Sequence, residues 1–574
     1  MDFEEVIKEA IFQAIKEYGL EKTSIVLEKP DQAYGDYAFP CFTLSKILKK
    51  SPMLIAMELE KKLNSPKEIQ KIIATGPYLN FYVDRGIFAK DIINKILKEK
   101  EDFGKSEKSN KTKKEKVMVE FSQANTHKAF HVGHIRGTSL GESISRTSEF
   151  LGNDVTRANY QGDIGMHVAK WLWCYQTFHK KEWPKKDEEQ WVAHIYVEAI
   201  KKLAENPDYQ KEVDKINIAL EEKKDKVLMA LWKKTRQLCL DGFEPIYQDL
   251  ETKFDKYFFE KDVEKKAKEI SLELLDKGLA KIDQEATVVD LNPYNLGIFL
   301  LLRRDKTVLY SAKDIALAET KFNEFKIEKS IYVVGSEQRL YFSQLFKTLE
   351  LMGFKNAKNC MYVPVSLVRL PTGKMSSRTG DNILYSDFKK DIIDFAKVEI
   401  KKRYPEIKQK ELDTRALKIS IAAIKYDMLK QDPNKTIVFN KEEALNFEGN
   451  SGPYIQYTYA RASSILRRVK KEQSKKTKVK QKSNNKLLLV NQEFSLVRTL
   501  SELPETIISA YSQLSPNIIA NYAYSLAQKF NEFYHSCQVL GSNEEKFRLE
   551  LVEATKIVLK TCLFLLGITA LEEM

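Results

Sequence analysis

The chain of 574 residues has few cysteines and no long apolar run. Its six cysteines, at positions 41, 174, 239, 360, 537 and 562, show no paired spacing, so a disulfide scaffold is excluded and reduced thiols are expected. No apolar stretch is long enough to cross a bilayer. The acidic start, Met-Asp-Phe-Glu-Glu, does not read as a signal peptide. These absences predict a cytoplasmic protein without a membrane partner.

The composition is that of a globular protein with a basic excess. Hydrophobic residues make up 43% of the chain and charged residues 30%, and the formal net charge is +13. An excess of this size suits a polyanionic partner such as RNA, although lysine-rich surfaces also occur without one. The length predicts three or four domains.

The pattern of apolar residues changes along the chain. Residues 1–104 mix helical periods with a short strand-like stretch, and the lysine- and serine-rich segment 105–116 is predicted as a linker. Strand and helix patterns alternate over 117–395, interrupted by a charged helical insertion at about 176–250, which predicts an α/β domain. Residues 400–574 are predicted to be all helical. Within them, the run Lys470–Lys486 lacks apolar anchors and is predicted as a flexible loop.

The most informative segment runs from Glu120 to His134, Glu-Phe-Ser-Gln-Ala-Asn-Thr-His-Lys-Ala-Phe-His-Val-Gly-His. A buried strand, Val117 to Phe121, is predicted to enter a His-x-Gly-His turn and then a helix that stops at Gly152. Unpaired N–H groups and the positive dipole end at the start of that helix would face an anion. His131 and His134 can donate hydrogen bonds to phosphate oxygens. The segment therefore predicts a nucleotide phosphate site.

Two simpler interpretations compete for this segment. His-x-x-His can bind zinc, but no cysteine or third histidine with metal spacing stands nearby, and no metal site is predicted. A purely structural strand–turn–helix would be favoured if the motif stood alone.

A second glycine-rich loop, Gly373-Lys-Met-Ser-Ser-Arg-Thr-Gly380, follows the predicted strand Met361–Val365. A lysine, two serines and an arginine between glycines suit a pyrophosphate that must be gripped and then released. Together, the two motifs resemble the signature of the class I aminoacyl-tRNA synthetases. The resemblance implies a doubly wound parallel Rossmann-like sheet with ATP across the strand ends.

The form of the first motif narrows the resemblance to the arginyl-tRNA synthetases. The further stretches that resemble this family are Tyr310-Ser-Ala-Lys-Asp314, Val334-Gly-Ser-Glu-Gln338, and Glu448 to Tyr457 with Ala460-Arg461. The resemblance extends from about residue 20 to Met574. It implies a small α+β N-terminal domain that binds the tRNA elbow (1–104), the catalytic domain (117–395) and an all-α anticodon-binding bundle (400–574).

The implied reaction is the activation of L-arginine by ATP, with Mg²⁺ on the phosphates, followed by transfer of arginine to the 3′ end of tRNA(Arg). Positioning and charge stabilisation should dominate such a displacement at phosphorus. The expected catalytic residues are His131, His134, Lys128 and Lys374. The expected ATP-binding residues are His131, Gly133, His134, Lys374, Met375, Ser376 and Ser377.

The second loop departs from the general class pattern, since Ser377 stands where a second lysine is usual. Within the arginyl family, a lysine three residues before the first histidine compensates, and Lys128 holds that position. The alternative is that Lys128 is an ordinary surface lysine and Arg378 takes the task.

A guanidinium is planar, always charged and offers five donors, so it calls for carboxylates at fixed geometry. Asp314, reached from a predicted strand Thr307–Tyr310, is expected to hold the guanidinium, and Glu120 to contact the ammonium or the guanidinium. The expected arginine-binding residues are Glu120, Asn125, Tyr310, Asp314, Gln338 and Glu260. Asn159 to His167 resembles a further wall of the pocket, but Ile164 and His167 differ from the residues common in the family.

For tRNA, aromatic side chains could stack on unpaired bases, although aromatics at helical spacing are more often core. The expected tRNA-binding residues are Asn80, Phe81, Tyr82, Tyr454, Tyr457, Arg461 and Met574. A monomer is expected from the resemblance.

Three alternatives remain open at this stage. A small-metabolite nucleotidyltransferase would share the His-x-Gly-His motif but would not need the helical C-terminal domain. A tRNA-binding paralogue without catalysis is disfavoured by the intact His131, His134, Lys374 and Asp314. A sibling specificity such as cysteine is disfavoured because zinc ligands are absent from the sequence pattern and two acids suit a guanidinium.

Overall fold

The computed structural model describes residues 3–19, 21–31, 34–105, 114–371, 384–473 and 487–574. The loop Gly373–Gly380, with Lys374, Met375, Ser376, Ser377 and Arg378, lies outside these residues, as do most of the predicted linker and positions 474–486 of the lysine run. In the described part of the chain, no helix has both the length and the apolar character needed to span a bilayer.

The elements are numbered in chain order. Up to residue 103 they are α1 (Phe3–Ile15), β1 (Tyr37–Pro40), α2 (Phe42–Leu48), α3 (Pro52–Lys62), β2 (Ile69–Thr75), β3 (Tyr78–Val83) and α4 (Arg85–Glu99). The next set is β4 (Lys116–Glu120), α5 (Val132–Phe150), β5 (Asp154–Gln161), α6 (Met166–Cys174), α7 (Glu188–Glu205), α8 (Gln210–Glu222), α9 (Lys226–Asp249), β6 (Lys256–Phe259) and α10 (Glu260–Asp276).

There follow β7 (Lys281–Asp283), β8 (Ala286–Asp290), β9 (Ile298–Leu302), α11 (Tyr310–Glu324), β10 (Lys329–Gly335), α12 (Arg339–Leu351), β11 (Cys360–Val365) and β12 (Val368–Arg369). The last set is α13 (Tyr385–Arg403), α14 (Gln409–Leu429), β13 (Ile437–Val438), α15 (Lys441–Ala444), α16 (Gly452–Gln473), α17 (Asn491–Ser501), α18 (Leu503–Ser512), α19 (Asn517–Ser536) and α20 (Glu545–Leu565).

The chain divides into two compact units. The first comprises Met1–Phe103, Ser464–Glu502 and Gln528–Val558. It contains an antiparallel sheet in the order β1-β3-β2. Helix α4 begins at Asp84, whose carboxylate accepts from the Gly86 and Ile87 N–H groups. This unit therefore has the α+β character expected for the N-terminal region.

The second unit comprises Gly104–Ser463, Leu503–Ala527 and Leu559–Met574. Its centre is a parallel sheet in the order β11-β10-β4-β5-β6. Counted along the chain, this is the 3-2-1-4-5 order of a doubly wound nucleotide-binding fold, with the switch point between β4 and β10. The predicted fold class is confirmed.

Helix α5 lies close against the end of β4, and Gly141 permits this. A Cβ built on Gly141 would lie 2.0 Å from Cγ of Phe121, so any larger residue would force the helix away from the strand. Arg136, on the same helix, is fully buried and donates to the backbone oxygens of Ser366, Asp432 and Lys435. Helix α5 is therefore held in place both by packing and by hydrogen bonds.

Between β5 and β6 the chain forms α6 to α9, so the segment predicted as a charged helical insertion is helical. It has its own apolar core, which contains Trp171, Trp173 and Trp232. Two sequence-based expectations were wrong. The predicted strand Thr307–Tyr310 is only an isolated bridge at Val308, because Tyr310 already begins α11. The region after residue 400 also includes the short strand β13, which pairs with β12.

Candidate active site

The candidate site lies at the carboxyl ends of the central strands. Strand β4 ends at Glu120, and the neighbouring strand β10 ends at Gly335. In an open α/β sheet, the crevice at such a switch point is where ligands bind. The strands β4 and β5, the segments that follow β4, β5, β6 and β10, and helix α11 supply the side chains described below.

The His-x-Gly-His turn is a reciprocal cap on helix α5. The Gly133 N–H donates to Nδ1 of His131 at 3.1 Å, and the His131 N–H donates to Nδ1 of His134 at 3.1 Å. The two rings lie 3.9 Å apart, centroid to centroid. Each histidine therefore satisfies one backbone donor at the start of the helix, as serine and glutamate do in an ordinary capping box.

These caps also determine which ring nitrogen carries the proton. Burial and the nearby Lys128 lower the pKa of His131 to about 4. Burial, His131 and Lys128 lower the pKa of His134 well below its usual range. Both rings are therefore neutral near pH 7. Since Nδ1 of each accepts a backbone N–H, the proton sits on Nε2, and both Nε2–H groups are donors for an anion.

Lys128 and the beginning of α13 adjoin this turn. Lys128 is half-buried, with its ammonium 5.8 Å from the centre of the Tyr196 ring, and burial lowers its pKa. His131 forms a backbone bridge with Leu384, and the Tyr385 N–H donates to the Phe130 oxygen. Leu384 is the first described residue after the Lys374 loop. The described chain therefore resumes after that loop directly beside the histidine turn.

Glu120 lies in a buried ion pair. Its side chain is 3% exposed and accepts from the ammonium of Lys321, whose side chain is 0% exposed. Gln123 donates to the other carboxylate oxygen at 2.9 Å. The Lys321 ammonium also lies 4.1 Å from the centre of the Tyr332 ring. The charge of Glu120 is thus balanced inside the protein before any substrate arrives.

Asp314 lies near Glu120 and keeps one oxygen unpaired. The Tyr341 hydroxyl donates to Oδ2, whereas the buried Oδ1 has no hydrogen-bond partner among the described residues. Burial raises the pKa of Asp314 to about 7, and the charges of Glu120 and Glu260 add to this. Tyr310, one helical turn earlier, is 58% exposed and packs against the Tyr341 ring at 4.9 Å. Asp314 is therefore a carboxyl group that a cation would stabilise.

Glu260 and Asn125 meet at Gly162. Oδ1 of Asn125 accepts from the Gly162 N–H at 3.1 Å, and Glu260 accepts from Lys313 at 3.0 Å. A Cβ on Gly162 would lie 2.6 Å from Oδ1 of Asn125 and 3.2 Å from Oε1 of Glu260. Only glycine allows these two side chains to approach the same backbone position.

The last two residues of β5 carry further unpaired polar groups, and Tyr160 lies near the same acids. The buried Tyr160 hydroxyl and both amide atoms of Gln161 have no hydrogen-bond partner in the described part of the chain. Burial, followed by the charges of Asp314, Glu260, Glu120 and Asp163, raises the pKa of Tyr160 far above its usual range. Buried unpaired polar groups are rare in proteins, so such a cluster marks a ligand site.

The remaining pocket residues are arranged as follows. Gln338 ends the turn Ser336–Gln338 that follows β10 and is half-buried. The Nε2 atom of His167 lies 3.4 Å from the Gly162 oxygen, and burial lowers its pKa to about 4. Ile164 belongs to the apolar core of the insertion.

The backbone after β4 is strained. Ser122, Gln123 and His127 have φ angles of 74°, 55° and 60°. Residues other than glycine rarely adopt such angles, and when they do, they cluster at functional sites. His127 is held there by two hydrogen bonds of its ring, one between Nδ1 and the Thr126 hydroxyl at 3.0 Å and one between Nε2 and the Thr235 hydroxyl at 2.8 Å.

Helix α16 carries three of the expected tRNA contacts. Tyr454, Tyr457 and Arg461 are half-buried. The Arg461 guanidinium lies 4.8 Å from the Tyr457 ring centre and donates to its hydroxyl at 3.2 Å. The backbone oxygen of Met574 accepts from Tyr404, and the Met574 side chain is 9% exposed. Contact between these side chains and RNA stays a prediction.

In the first unit, the three expected contacts lie on β3. Asn80 and Phe81 are 2% and 0% exposed, whereas Tyr82 is half-exposed with the Lys71 ammonium 4.0 Å from its ring centre. Of these three, Tyr82 is the side chain that an RNA could reach directly. Their role remains a prediction.

Several residues of the site were not expected from the sequence: Lys321, Lys313, Tyr341, Tyr160 and Gln161. The two lysines look like solvated helix residues in the sequence, and no local pattern shows that they pair with buried acids. Tyr160 and Gln161 lie in the stretch Asn159–His167, which had been noted as a wall of the pocket without roles for these two side chains.

Three family profiles match successive parts of the chain. The profile "Arginyl tRNA synthetase N terminal domain" matches residues 3–83, "tRNA synthetases class I (R), catalytic domain" matches 92–441, and "DALR anticodon binding domain" matches 455–574. The catalytic match alone covers more than half of the chain.

Curated relatives and solved structures agree with these matches. The chain is 36% identical to the arginine–tRNA ligase of Clostridium acetobutylicum and 34% identical to that of Halothermothrix orenii, over 100% of each protein. The arginyl-tRNA synthetase structure from Thermus thermophilus superposes with a TM-score of 0.81 at 26% identity, covering 99% of this chain and 100% of that one.

Proposed function

Because this chain belongs to the arginyl-tRNA synthetase family, we propose that the site at the end of β4 joins arginine to its tRNA. The chain is an aminoacyl-tRNA synthetase: with ATP it activates L-arginine to arginyl-adenylate and pyrophosphate, and it then transfers arginine to tRNA(Arg). The observation that carries the assignment to this site is the unpaired Oδ1 of Asp314. It lies in a pocket with Glu120 and Glu260, called the acidic pocket below. The two neutral imidazoles that cap α5 lie at the carboxyl ends of the same sheet.

The acidic pocket is proposed to bind arginine. The unpaired Oδ1 of Asp314 is available to the guanidinium, and Tyr310 can pack on its flat face. Glu260 would complete the hydrogen bonds to the guanidinium, while Glu120 would bind the ammonium and Asn125 and Gln338 would bind the backbone end of the arginine. Lysine would leave acceptors of this site unpaired, and a site built for hydrogen bonds rejects such an analogue strongly.

The histidine turn is proposed to bind the triphosphate. In the first step, an oxygen of the arginine carboxylate attacks the α-phosphorus, and the bond to the bridging oxygen breaks as pyrophosphate leaves. The Nε2–H groups of His131 and His134 would donate to phosphate oxygens as negative charge moves, next to the N-terminal N–H groups of α5. Gly133 keeps the backbone close to the nucleotide. In the second step, a hydroxyl of the terminal ribose attacks the arginyl carbonyl, and AMP leaves.

Mg²⁺ is proposed to enter as part of the nucleotide substrate. The segment from His127 to His134 contains imidazoles, a lysine and backbone N–H groups but no carboxylate. This donor set fits a magnesium ion that is bound by phosphate oxygens and water, and does not fit one held by a protein cage.

The missing second lysine of the Lys374 loop is proposed to be replaced by Lys128. Its half-burial and its effect on the pKa values of both histidines support this role, because the ammonium must be near the imidazoles to lower them. Lys374, Met375, Ser376 and Ser377 are proposed to contact the leaving pyrophosphate. Leu384, the first described residue after that loop, lies beside His131, which supports a role for the loop at this site.

For tRNA, we keep the expected surfaces as proposals: Tyr454, Tyr457, Arg461 and Met574 for the anticodon and Asn80, Phe81 and Tyr82 for the elbow, with Tyr82 the directly reachable one. We also propose that the protein is cytoplasmic and that it is a monomer. Light scattering of the purified protein would test the oligomeric state.

The decisive experiment is pyrophosphate exchange with arginine, with and without tRNA(Arg). Exchange that needs arginine and appears only when tRNA is present is the expected result, followed by formation of arginyl-tRNA. Nucleotide transfer to a small molecule without arginine would support a metabolite nucleotidyltransferase instead. Binding of tRNA without turnover would support a silent paralogue.

A further inference from the structure

The helical insertion contains a mixed cluster of metal-binding side chains away from the site described above. The Sγ of Cys174, a ring nitrogen of His179 and a carboxylate oxygen of Glu198 all lie within 4.8 Å of one another. Cys174 is fully buried, and His179 and Glu198 are half-buried. Thiolate, imidazole and carboxylate together form a ligand set typical of zinc.

The local backbone explains why these residues meet. A π-helical turn, Tyr175–His179, follows α6 directly. In a π-helix, residues five apart are one turn apart, so Cys174 and His179 lie on one side, which an α-helix would not permit. On the facing helix α7, His194 and Glu198 are four residues apart and share a face. The two helices thus each offer a pair of ligands.

The histidine is already oriented as a metal ligand. Its Nδ1 lies 2.8 Å from a carboxylate oxygen of Glu182, and its Nε2 lies 2.9 Å from Glu198. A ligating histidine commonly donates its second ring nitrogen to a carboxylate, which fixes the tautomer and raises the basicity of the ligand. Glu182 takes that position here, and a metal ion bound by Nε2 and Glu198 would replace the hydrogen bond that now joins them.

The distances need only a small adjustment. Ligand atoms around tetrahedral zinc are roughly 3.3–3.6 Å apart, so a contraction of about 1 Å from the observed limit would suffice. His194 can complete the set, since its Nε2 is 3.7 Å from Glu198 and its side chain is 68% exposed. The positive charge of Lys202 would repel a metal ion at this cluster, but its ammonium lies 3.5 Å from a carboxylate oxygen of Glu205, which can neutralise it.

We propose that Cys174, His179 and Glu198, with His194 as the fourth ligand and Glu182 orienting His179, bind one Zn²⁺ ion that fastens the end of α6 to α7. On binding, the Cys174 thiol releases its proton and forms an S–Zn bond, and His179 gives up any proton that it carries on Nε2.

The test uses the full-length protein, first treated with a chelator and kept reduced, and titrated with Co²⁺ as the spectroscopic probe. We expect one ion per chain, a thiolate-to-cobalt charge-transfer band, and displacement of cobalt by Zn²⁺. Cys174→Ser should abolish the band, whereas the matched control Cys537→Ser, at a buried cysteine of the other unit, should keep it. A wild-type protein without a saturable band, or a band that persists in Cys174→Ser, would overturn the proposal.

Further variants protect the test against misfolding at Cys174. His179→Gln should lower zinc affinity by more than tenfold, and Glu182→Gln by about 10-fold or more, since outer partners of metal ligands have effects of that order. Zinc should raise the Tm of the wild-type protein but not that of His179→Gln, because a ligand that binds the native state stabilises it. Equal zinc binding by His179→Gln and the wild-type protein would show that His179 only bridges two glutamates.

Discussion

The histidine turn and the acidic pocket both lie at the carboxyl ends of the central strands, but burial has opposite consequences for their readiness to bind a ligand. In the turn, burial lowers the pKa of His131 to about 4 and makes the ring a neutral donor with a fixed tautomer. In the pocket, burial raises the pKa of Asp314 to about 7 and works against the charge that a guanidinium needs. The turn is therefore complete without its ligand, whereas the pocket becomes fully charged only with its ligand.

The two regions also differ in how they are assembled. The turn is made of four consecutive residues whose caps are internal to the motif. The pocket collects side chains from the end of β4, the start of α10, helix α11 and the turn after β10. Its counter-charges include Lys321, which is 201 residues from Glu120. The proposed phosphate site is thus formed by residues that are adjacent in sequence, whereas the proposed arginine site is formed by residues that only the tertiary fold brings together.

The largest expected effect comes from removing the charge of the pocket. Asp314→Asn should lower kcat/KM for arginine by about 10²–10³-fold, since truncating one member of a buried charge pair costs about 2–5 kcal/mol. The KM for ATP should change little, because the histidine turn is separate. Steady-state aminoacylation measures both, with Asp305→Asn, at an exposed loop carboxylate, as the matched control. Equal losses for arginine and ATP would contradict the division of the site into two regions.

A loss of similar kind is expected on the phosphate side. His131→Asn keeps a side-chain oxygen that can cap α5 but removes the Nε2–H donor, so pyrophosphate exchange should fall about 10²-fold in kcat. His131→Ala should lose the same donor and, in addition, about 0.5–2 kcal/mol of helix stability. Comparison of the two melting temperatures separates the cap from the catalytic donor. A fully active His131→Asn enzyme would exclude the donor role.

How far the sequence predicts each region follows from this difference in assembly. The strand, the turn and the helix ending before Gly152 are local, and all three were predicted; β4 and α5 are found within one or two residues of the expected limits. In the pocket, Glu120 and Asp314 were expected to hold the substrate, whereas Lys321, Lys313 and Tyr341 were missed because only the fold brings them to the acids. The strand predicted at Thr307–Tyr310 failed because Tyr310 is the first residue of a helix.

Lys128 sharpens the comparison because it lies only three residues before the histidine turn but was expected only from the resemblance. Lys128→Gln should reduce pyrophosphate exchange by about 10- to 100-fold, the range for losing a hydrogen bond to a charged group. Lys170→Gln is the matched control, since Lys170 is the charge whose repulsion adds to the lowering of the Lys128 pKa. If Arg378→Gln reduces pyrophosphate exchange more than Lys128→Gln does, then Arg378, and not Lys128, replaces the missing second lysine of the Lys374 loop.

The smallest expected effect is a pH dependence that should separate the two regions. Arginine keeps its guanidinium charge throughout, so it binds the ionised form of Asp314, whose pKa is about 7 in the unliganded protein. Ionisation is nearly complete at pH 8 and falls to about a tenth at pH 6, so arginine should bind about tenfold more weakly at pH 6. Calorimetry of arginine binding should also show proton release at pH 6.

Two variants serve as controls for this pH dependence. His131→Asn should keep it because the pKa of His131, about 4, lies below the range from pH 6 to pH 8, whereas Asp314→Asn should abolish it. Arginine binding that is independent of pH between 6 and 8 would mean that Asp314 is already ionised without its ligand, and the contrast between a prepared turn and a ligand-completed pocket would fail.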